Sequence, residues 1–507
     1  DFDRESGDGR AYVGAPDIDL RDWTPVLHAG GVRAVGGRGG TRVWAELKDE
    51  RVARITAQGT IGGVALDGAA LDGAVPRVVF DRVDVLGVWR KQGARWTVAL
   101  PTLRVEQGES KRVLDGLALA GDTGFDLAAE HVDIAPLLQA AALTDRLPAG
   151  TRRWIRGARP AGLVDDLRVA SRRGHVDVDA RLASVGFERV GTAPGLSGMA
   201  GRLSGDVDGL QLDFDPASAI RFSWPQAFGP DHVVRLTGRA GVWREGAGWR
   251  VGTRALHIGG DGYSADVRGG LLWQGDGTRP FIDLAADVGN TQVPVAKRFW
   301  VRHVMAPTVV KWLDDGLLGG RVENGRAVVV GDLDDWPFRK HEGSFEARAR
   351  VVDASVKFLP DWPAAEDVDV DVLFDGTGFD IAGSGRVGQV RLPLLTASID
   401  DYGHGALRVD AQGDTDAARL LDVVRASGLR AMQPETIDAL AASGPARVEF
   451  GLEMPLGRHA PTAIRGAVDL GGATLADRRW NLRFDDVRGR ARYDQHGFTA
   501  TVLAVRH

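Results

Sequence analysis

Residues 367–375 read Asp-Val-Asp-Val-Asp-Val-Leu-Phe-Asp. Side chains on a strand point alternately to opposite faces, so this period of two predicts one dry face and one wet face. Val368, Val370, Val372 and Phe374 fall on the dry side, and Asp367, Asp369, Asp371 and Asp375 on the wet side. The pattern recurs along the chain. Val176, Val178, Ala180 and Leu182 alternate with Asp177, Asp179 and Arg181, and Leu210, Leu212 and Phe214 with Gln211 and Asp213. Val448, Phe450, Leu452 and Met454 alternate with Arg447, Glu449 and Glu453, and Leu482 and Phe484 with Arg483 and Asp485. Buried parallel strands read as continuous apolar runs, so alternation predicts antiparallel pairing. Asp-Gly at 67–68, 115–116, 208–209, 261–262 and 375–376, with Asn324-Gly325, supplies the positive φ that tight hairpin turns require. The predicted fold class is all-β with a few short helices.

Helical spacing is confined to short stretches. It runs through Ile134, Leu137, Leu138, Ala141 and Ala142 within Val132–Leu147, and through Ala417, Leu420, Leu421 and Val424 within Asp414–Ser427. Further short helices led by proline are predicted at Pro148–Ile155, Pro307–Leu313 and Pro434–Leu440, because a first helical turn tolerates the missing N–H.

Those prolines mark a repeat. Pro148 precedes Trp154 and Gly162, Pro307 precedes Trp312 and Gly320, and Pro434 precedes Leu440 and Gly444. Gly87-Val88-Trp89-Arg90 with Trp96 recurs as Gly241-Val242-Trp243-Arg244 with Trp249. The two markers repeat at similar offsets, 241 − 87 = 154 and 307 − 148 = 159 residues. Gly209-Leu210, Gly378-Phe379 and Gly497-Phe498 each read as a strand start after a compact hairpin. Stacked modules bury their apolar faces through neighbours. The expected modules are residues 1–160, 161–320 and 321–445, each ending in short helices, and 446–507 as the start of a further one.

Composition excludes much. The chain has 507 residues, too many for one compact core, with 68 Gly, 14 Trp and no Cys. Disulfides, cysteine-based zinc sites and thiol catalysis are thereby removed. The 63 basic and 69 acidic residues are interspersed, without a basic stripe for nucleic acid. No apolar run is long enough to span a bilayer, and the opening Asp-Phe-Asp-Arg-Glu does not read as a signal peptide. Both ends read as cut from something longer. Gly383-Ser384-Gly385-Arg386-Val387-Gly388 has dinucleotide-binding spacing, but strand-like residues and Pro393 follow where a helix is required. Asp367, Asp369 and Asp371 lack the glycine and the bidentate glutamate of a calcium loop. The 11 His carry no metal spacing, and no Gly-x-Ser-x-Gly elbow occurs. The expectation is no enzyme, no cofactor and no metal. Trp89, Trp96, Trp243 and Trp249 could stack sugars, but hairpin packing is the simpler reading of so large a side chain.

The dry face itself remains. A one-sided sheet needs a second layer, closure into a sandwich, or an apolar ligand, and the helices are too few to cover it. Candidate ligand-contacting positions on that face are Val176, Val178, Leu182, Leu210, Leu212, Val328, Val330, Val370, Val372, Phe374, Phe379, Ile381, Val448, Phe450, Leu452, Leu482 and Phe484. The alternative is a structural or adhesive β-repeat protein with a closed sandwich core.

Trp312-Leu313, Gly331-Asp332-Leu333, Trp336-Pro337-Phe338 and Gly343-Ser344-Phe345 lead into Asp353-Ala354 and Phe358-Leu359-Pro360-Asp361-Trp362-Pro363. Together with Trp23, Val43-Trp44, Gly87-Val88-Trp89, Pro194-Gly195, Gly201 and Gly248-Trp249, this block resembles the central region of the YhdP family, within the AsmA-like superfamily. That resemblance covers nearly the whole chain. It implies an elongated, repeat-built antiparallel sheet curled into a taco-like hydrophobic groove, similar to the bridge-like lipid transfer proteins. It further implies a periplasmic Gram-negative protein anchored in the inner membrane by a segment outside this chain. Phospholipids are the implied cargo, passed toward the outer membrane and proteins on that side, with no nucleic acid involved.

Overall fold

The computed structural model describes all of residues 1–507 except 1, 4–5, 25–27, 301–306, 403–404, 457–460, 495 and 507. The chain is all-β and antiparallel, and its strands pair with their neighbours in sequence. It divides into two compact units: Asp1–Pro225 with Pro230–Arg244, and Gln226–Gly229 with Glu245–His507.

In the first unit the strands Gly9–Asp19, Val32–Lys48, Arg51–Asp67, Arg77–Gln92, Arg95–Gln107, Ser110–Gly121 and Phe125–Asp133 pair in that order. Ala161–Arg172, His175–Phe187, Gly195–Asp206, Gly209–Phe214 and His232–Glu245 continue it, with the short Ile220–Ser223 alongside. The second unit runs from Gly248–Gly260 through Tyr263–Trp273, Phe281–Val288, Leu317–Asp332, Ser344–Val356 and Ala365–Asp375. Gly378–Val387, Val390–Ile399, Ala406–Asp416, Pro445–Pro455, Ala463–Asp477, Leu482–Asp494 and Gly497–Arg506 complete it.

Not every Asp-Gly is a turn. Asp115-Gly116 lies inside the strand Ser110–Gly121, and Asn324-Gly325 inside Leu317–Asp332. Gly116 has φ 65° and Asn324 φ 53°, and the register shifts between Glu323 and Arg326. The left-handed conformation that a hairpin turn needs is also what a β-bulge needs, so the dipeptide alone does not separate the two.

Helices Ile134–Ala141 and Ala417–Arg425 are shorter than the stretches whose spacing predicts them, whereas Ala149–Ala158 and Pro307–Gly316 run past the expected ends at Ile155 and Leu313. Ile134–Ala141 and Ala149–Ala158 connect two paired strands of the first unit, and Asp133 caps the first of them by accepting from the Ala135 N–H at 3.0 Å. Arg112 donates to the same carboxylate at 2.7 Å. This helix pair is fixed by Arg152, 4% exposed, whose guanidinium donates to the carbonyls of Ala142, Ala70 and Ala69 at 3.0, 3.3 and 2.6 Å. Ala69 and Ala70 belong to the connection after Arg51–Asp67, so one side chain ties the helices to a distant strand end. In the second unit Pro307–Gly316 and Ala417–Arg425 occupy equivalent connections.

The first unit's core lies beside its helices. Phe80, Val105, Leu114, Ala129 and Val132 form one buried cluster, with Ile134 of the helix packed against it. Leu114 and Val132 are completely buried. Replacing Leu114 by alanine is expected to cost about 2–5 kcal/mol, as cavity-forming leucine truncations do. A denaturant melt of the intact chain checks this, and an unchanged midpoint would contradict it.

Candidate functional site

Directly opposed residues in an antiparallel pair point to the same side of the sheet, so the register traces each face from strand to strand. One row in the first unit runs Ala11–Ala45–Ile55–Trp89–Val98–Leu119. It continues Leu127–Val169–Val178–Gly205–Leu210–Val242. That is twelve strands without one polar side chain. The adjacent row, on the opposite side, runs Arg10–Glu46–Arg54–Arg90–Thr97–Ala120–Asp126–Ala170–Asp177–Asp206, polar at all but the two alanines. Cross-strand pairs such as Arg202–Asp179 and Arg239–Asp213 decorate that wet face.

Burial along the apolar row decides what the face can do. Ala11 is exposed and the other eleven members are half-exposed; none is buried. A second protein layer, as in a sandwich, would bury them. Burial begins only toward the helices, where Val164, Ala180, Leu182 and Leu212 cluster with Ile134 and Leu167.

The second unit repeats the arrangement. Ala349–Val372–Ile381–Ala397–Val409–Leu452–Ile464 forms an apolar row across seven strands. A neighbouring row on the same face runs Val351–Val370–Gly383–Leu395–Ala411–Phe450–Gly466–Tyr493–Phe498. Ala354, Val368, Val370 and Val372 are buried together here.

The sequence candidates therefore separate. Val178 and Leu210 are members of the twelve-strand row, with Val176, Leu182 and Leu212 on the same face. Val370, Val372, Phe374, Phe379, Ile381, Val448, Phe450 and Leu452 share one face of the second unit. Phe484 stands opposite Leu475 and Leu482 opposite Asp477 at a strand end, where Leu482 is 45% exposed. Val328 and Val330 go the other way: they oppose Glu346 and Ser344, while Ala327 and Val329 oppose Ala347 and Phe345. Ala327–Val330 is a continuous apolar run, so alternation cannot orient it, and the bulge at Asn324 resets the phase.

The tryptophans also divide. Trp89 belongs to the apolar row, but at the second copy of the motif it is Val242 that does; Trp243 lies on the opposite face, 38% exposed. Trp96 stands over Gly121, where a Cβ would meet its ring at 2.5 Å.

A small apolar cleft is built where the second unit's face meets a helix and a turn. Its sheet side is Ala411, Val448, Phe450 and Val468, and its helix side Leu420, Val423 and Val424. Phe358 and Trp362 close it from the turn, with ring centroids 5.7 Å apart and Trp362 5.4 Å from Phe450. Trp362 precedes the strand Ala365–Asp375, four strand steps from Phe450, which is roughly 19 Å on a flat sheet. The turn therefore overhangs the face. Trp312 on the helix Pro307–Gly316 secures it by donating to the Phe358 carbonyl at 3.2 Å. At the other end of the strand Ser344–Val356, Phe338 packs against Gly331 and Gly343, where any Cβ would strike its ring. Tyr493, at the edge of the cleft, donates to the Glu449 carbonyl at 3.0 Å, and burial pushes its phenol well above the ordinary range.

Ion pairing with arginine shifts carboxylates as well. Hydrogen bonding to Arg77 holds Asp67 below the usual carboxylate range, as Arg447 does for Asp414. A depressed folded-state pKa gives stability that is present above the unfolded value, near 4, and lost as pH falls through the folded one. The thermal midpoint is therefore expected to hold down to about pH 5 and to drop below about pH 4. Scanning calorimetry across that range checks it. Among the described residues no cluster of three or more His, Cys, Asp or Glu could hold a metal, and no helix is long and apolar enough to cross a membrane.

An antiparallel sheet with a continuous apolar face, half-exposed over many strands, defines a protein that presents a hydrophobic surface along its sheet. The family model of the YhdP protein matches residues 1–506, and the chain belongs to that family. It is similar to the intermembrane phospholipid transporter YhdP of Escherichia coli strain K12, 23% identical over 520 residues that cover 92% of this chain. The chain spans 38% of that relative's length. No solved structure matches it.

Proposed function

We propose that this chain is a segment of an intermembrane phospholipid transporter, and that its apolar face carries acyl chains. The observation that supports this is the twelve-strand row from Ala11 to Val242, apolar throughout and nowhere buried. Its half-exposure argues against a closed sandwich core. A named relative that transports phospholipid between membranes supplies the class of ligand. Each methylene removed from water contributes about 0.8 kcal/mol wherever it lies on such a surface. A lipid can then move along the sheet without breaking a specific polar contact.

The lining is the set of sequence candidates with Ala327 and Val329 in place of Val328 and Val330. In this reading the face forms a groove through the periplasm, continuous with segments that reach the inner membrane on one side and outer-membrane-side partners on the other. Native mass spectrometry of the chain purified from a phospholipid-containing host tests it. Adducts of phospholipid mass are expected, and a chain carrying no apolar adduct would contradict the proposal.

A further inference from the structure

The apolar cleft of the second unit is roofed from two directions. One half of the roof is the turn that carries Phe358 and Trp362. The other is the helix Ala417–Arg425, which contributes Leu420, Val423 and Val424 and is followed by Leu429. Each half has its own support. Trp312 and Lys357 hold the turn by donating to the carbonyls of Phe358 and Trp362. Asp416 fixes the start of the helix, accepting from the N–H groups of Ala418 and Gly444 at 2.8 and 2.9 Å, and Arg425 fixes its end by donating to the Leu440 carbonyl at 2.6 Å.

The halves meet at a seam directly over the cleft. Asp361 precedes Trp362, Gly428 precedes Leu429, and a Cβ built on Gly428 stands 3.4 Å from the Asp361 Cβ. Among the described residues no hydrogen bond or ion pair joins residues 357–364 to residues 417–440. Beneath the seam the contacts are apolar. Trp362 lies on Phe450 with ring centroids 5.4 Å apart, and a Cβ on Gly388 would stand 3.2 Å from Val423. Apolar contact is non-directional, so the halves can part without leaving a polar group unpaired.

We propose that the roof opens at this seam, and that the gap between Trp362 and Leu429 is the entry by which a lipid acyl chain passes between the open face and the cleft. The inference rests on the reading of the apolar face given above. The turn and the helix are then a lid over one stretch of the sheet, with Trp362 as its latch on Phe450.

The chain has no cysteine, so Asp361→Cys/Gly428→Cys places a single disulfide across the seam, where the Cβ separation is close to the about 3.5–4.5 Å that such a bond spans. The test uses the whole chain in this variant, with dioctanoylphosphatidylcholine as the probe and a photoreactive amino acid at Val468 in the cleft or at Leu119 on the open row of the first unit. Circular dichroism verifies folding in both redox states. The reduced protein is expected to capture lipid at both positions. Closing the bridge is expected to lower capture at Val468 about tenfold or more, because a closed lid bars entry, and to leave Leu119 unchanged. Lipid loaded before oxidation is expected to remain captured at Val468 after dilution. Trp362→Ala, which removes the latch, is expected to make capture at Val468 faster than in the parent.

Equal capture at Val468 with the bridge open and closed, or an unchanged rate in Trp362→Ala, would mean a fixed roof and overturn the lid while the apolar face stands. Loss of preloaded lipid on oxidation would mean that the bridge distorts the cleft, and a pair that does not oxidise would mean that the halves do not meet; either overturns the proposal. Capture at Leu119 with none at Val468 in any state would remove the cleft as a lipid site. Capture at neither position would bring down both readings.

Discussion

Aspartate at both Leu119 and Val169 is expected to strip the protein of lipid without unfolding it. Both positions belong to the twelve-strand row and both are half-exposed, so the folded chain can hydrate the new carboxylates. Acyl chains cannot. A charged side chain in a hydrocarbon environment costs about 2.5–3.5 kcal/mol each, so occupancy beside them should fall by a factor on the order of 100 or more. Lipid recovered per mole of protein measures the effect, with the thermal midpoint as the control for folding. Ala120→Asp, in the adjacent row, is the matched substitution on the wet face and is expected to retain lipid. Equal loss from all three positions would mean that the two faces do not differ as described.

Arg152→Met is the variant expected to damage the fold most. The side chain is 4% exposed and supplies hydrogen bonds to three carbonyls in two separate segments. Methionine keeps the length and removes the donors, leaving those carbonyls with no replacement partner. Hydrogen bonds from a charged donor contribute about 1.5–3 kcal/mol each and do not add fully, so a loss of about 3–5 kcal/mol is expected. The helix pair Ile134–Ala141 and Ala149–Ala158 should release first. Hydrogen exchange at Ala69 and within those helices measures this directly, and protection equal to the parent's would contradict the assignment.

Much of this architecture is legible in the sequence because a strand's period is short. Nine residues from Asp367 to Asp375 suffice to orient a strand, and the structure buries Val368, Val370 and Val372 together. The strand starts at Gly209, Gly378 and Gly497 follow for the same reason. Legibility fails where the period has nothing to read. Ala327–Val330 is apolar at every position, so only the pairing with Ser344–Val356 decides that Val329 is on the dry side. The Gly-Val-Trp repeat fails differently: Trp89 and Trp243 share a motif but not a face, because the surrounding register differs by one residue.

Contacts between segments distant in sequence carry no local signal at all. Arg152 and its acceptors at Ala69 and Ala70 lie 83 and 82 residues apart, and nothing near either end announces the other. Arg391 and Arg419 read as unrelated surface charges until the fold brings them to one pocket. The aromatic block that carries the family resemblance is partly structural, with Phe338 packed on two glycines and Trp362 overhanging the sheet.

The central claim is that one face of the sheet meets lipid and the other meets water. Photo-crosslinking in cells separates the two most directly. A photoreactive amino acid placed singly at Val178, Leu210 and Ile381 should capture phospholipid, and the same probe at Asp177, Asp206 and Asp371 should not. Capture confined to the first set is the predicted result; equal capture at both sets, or none at either, would contradict the account.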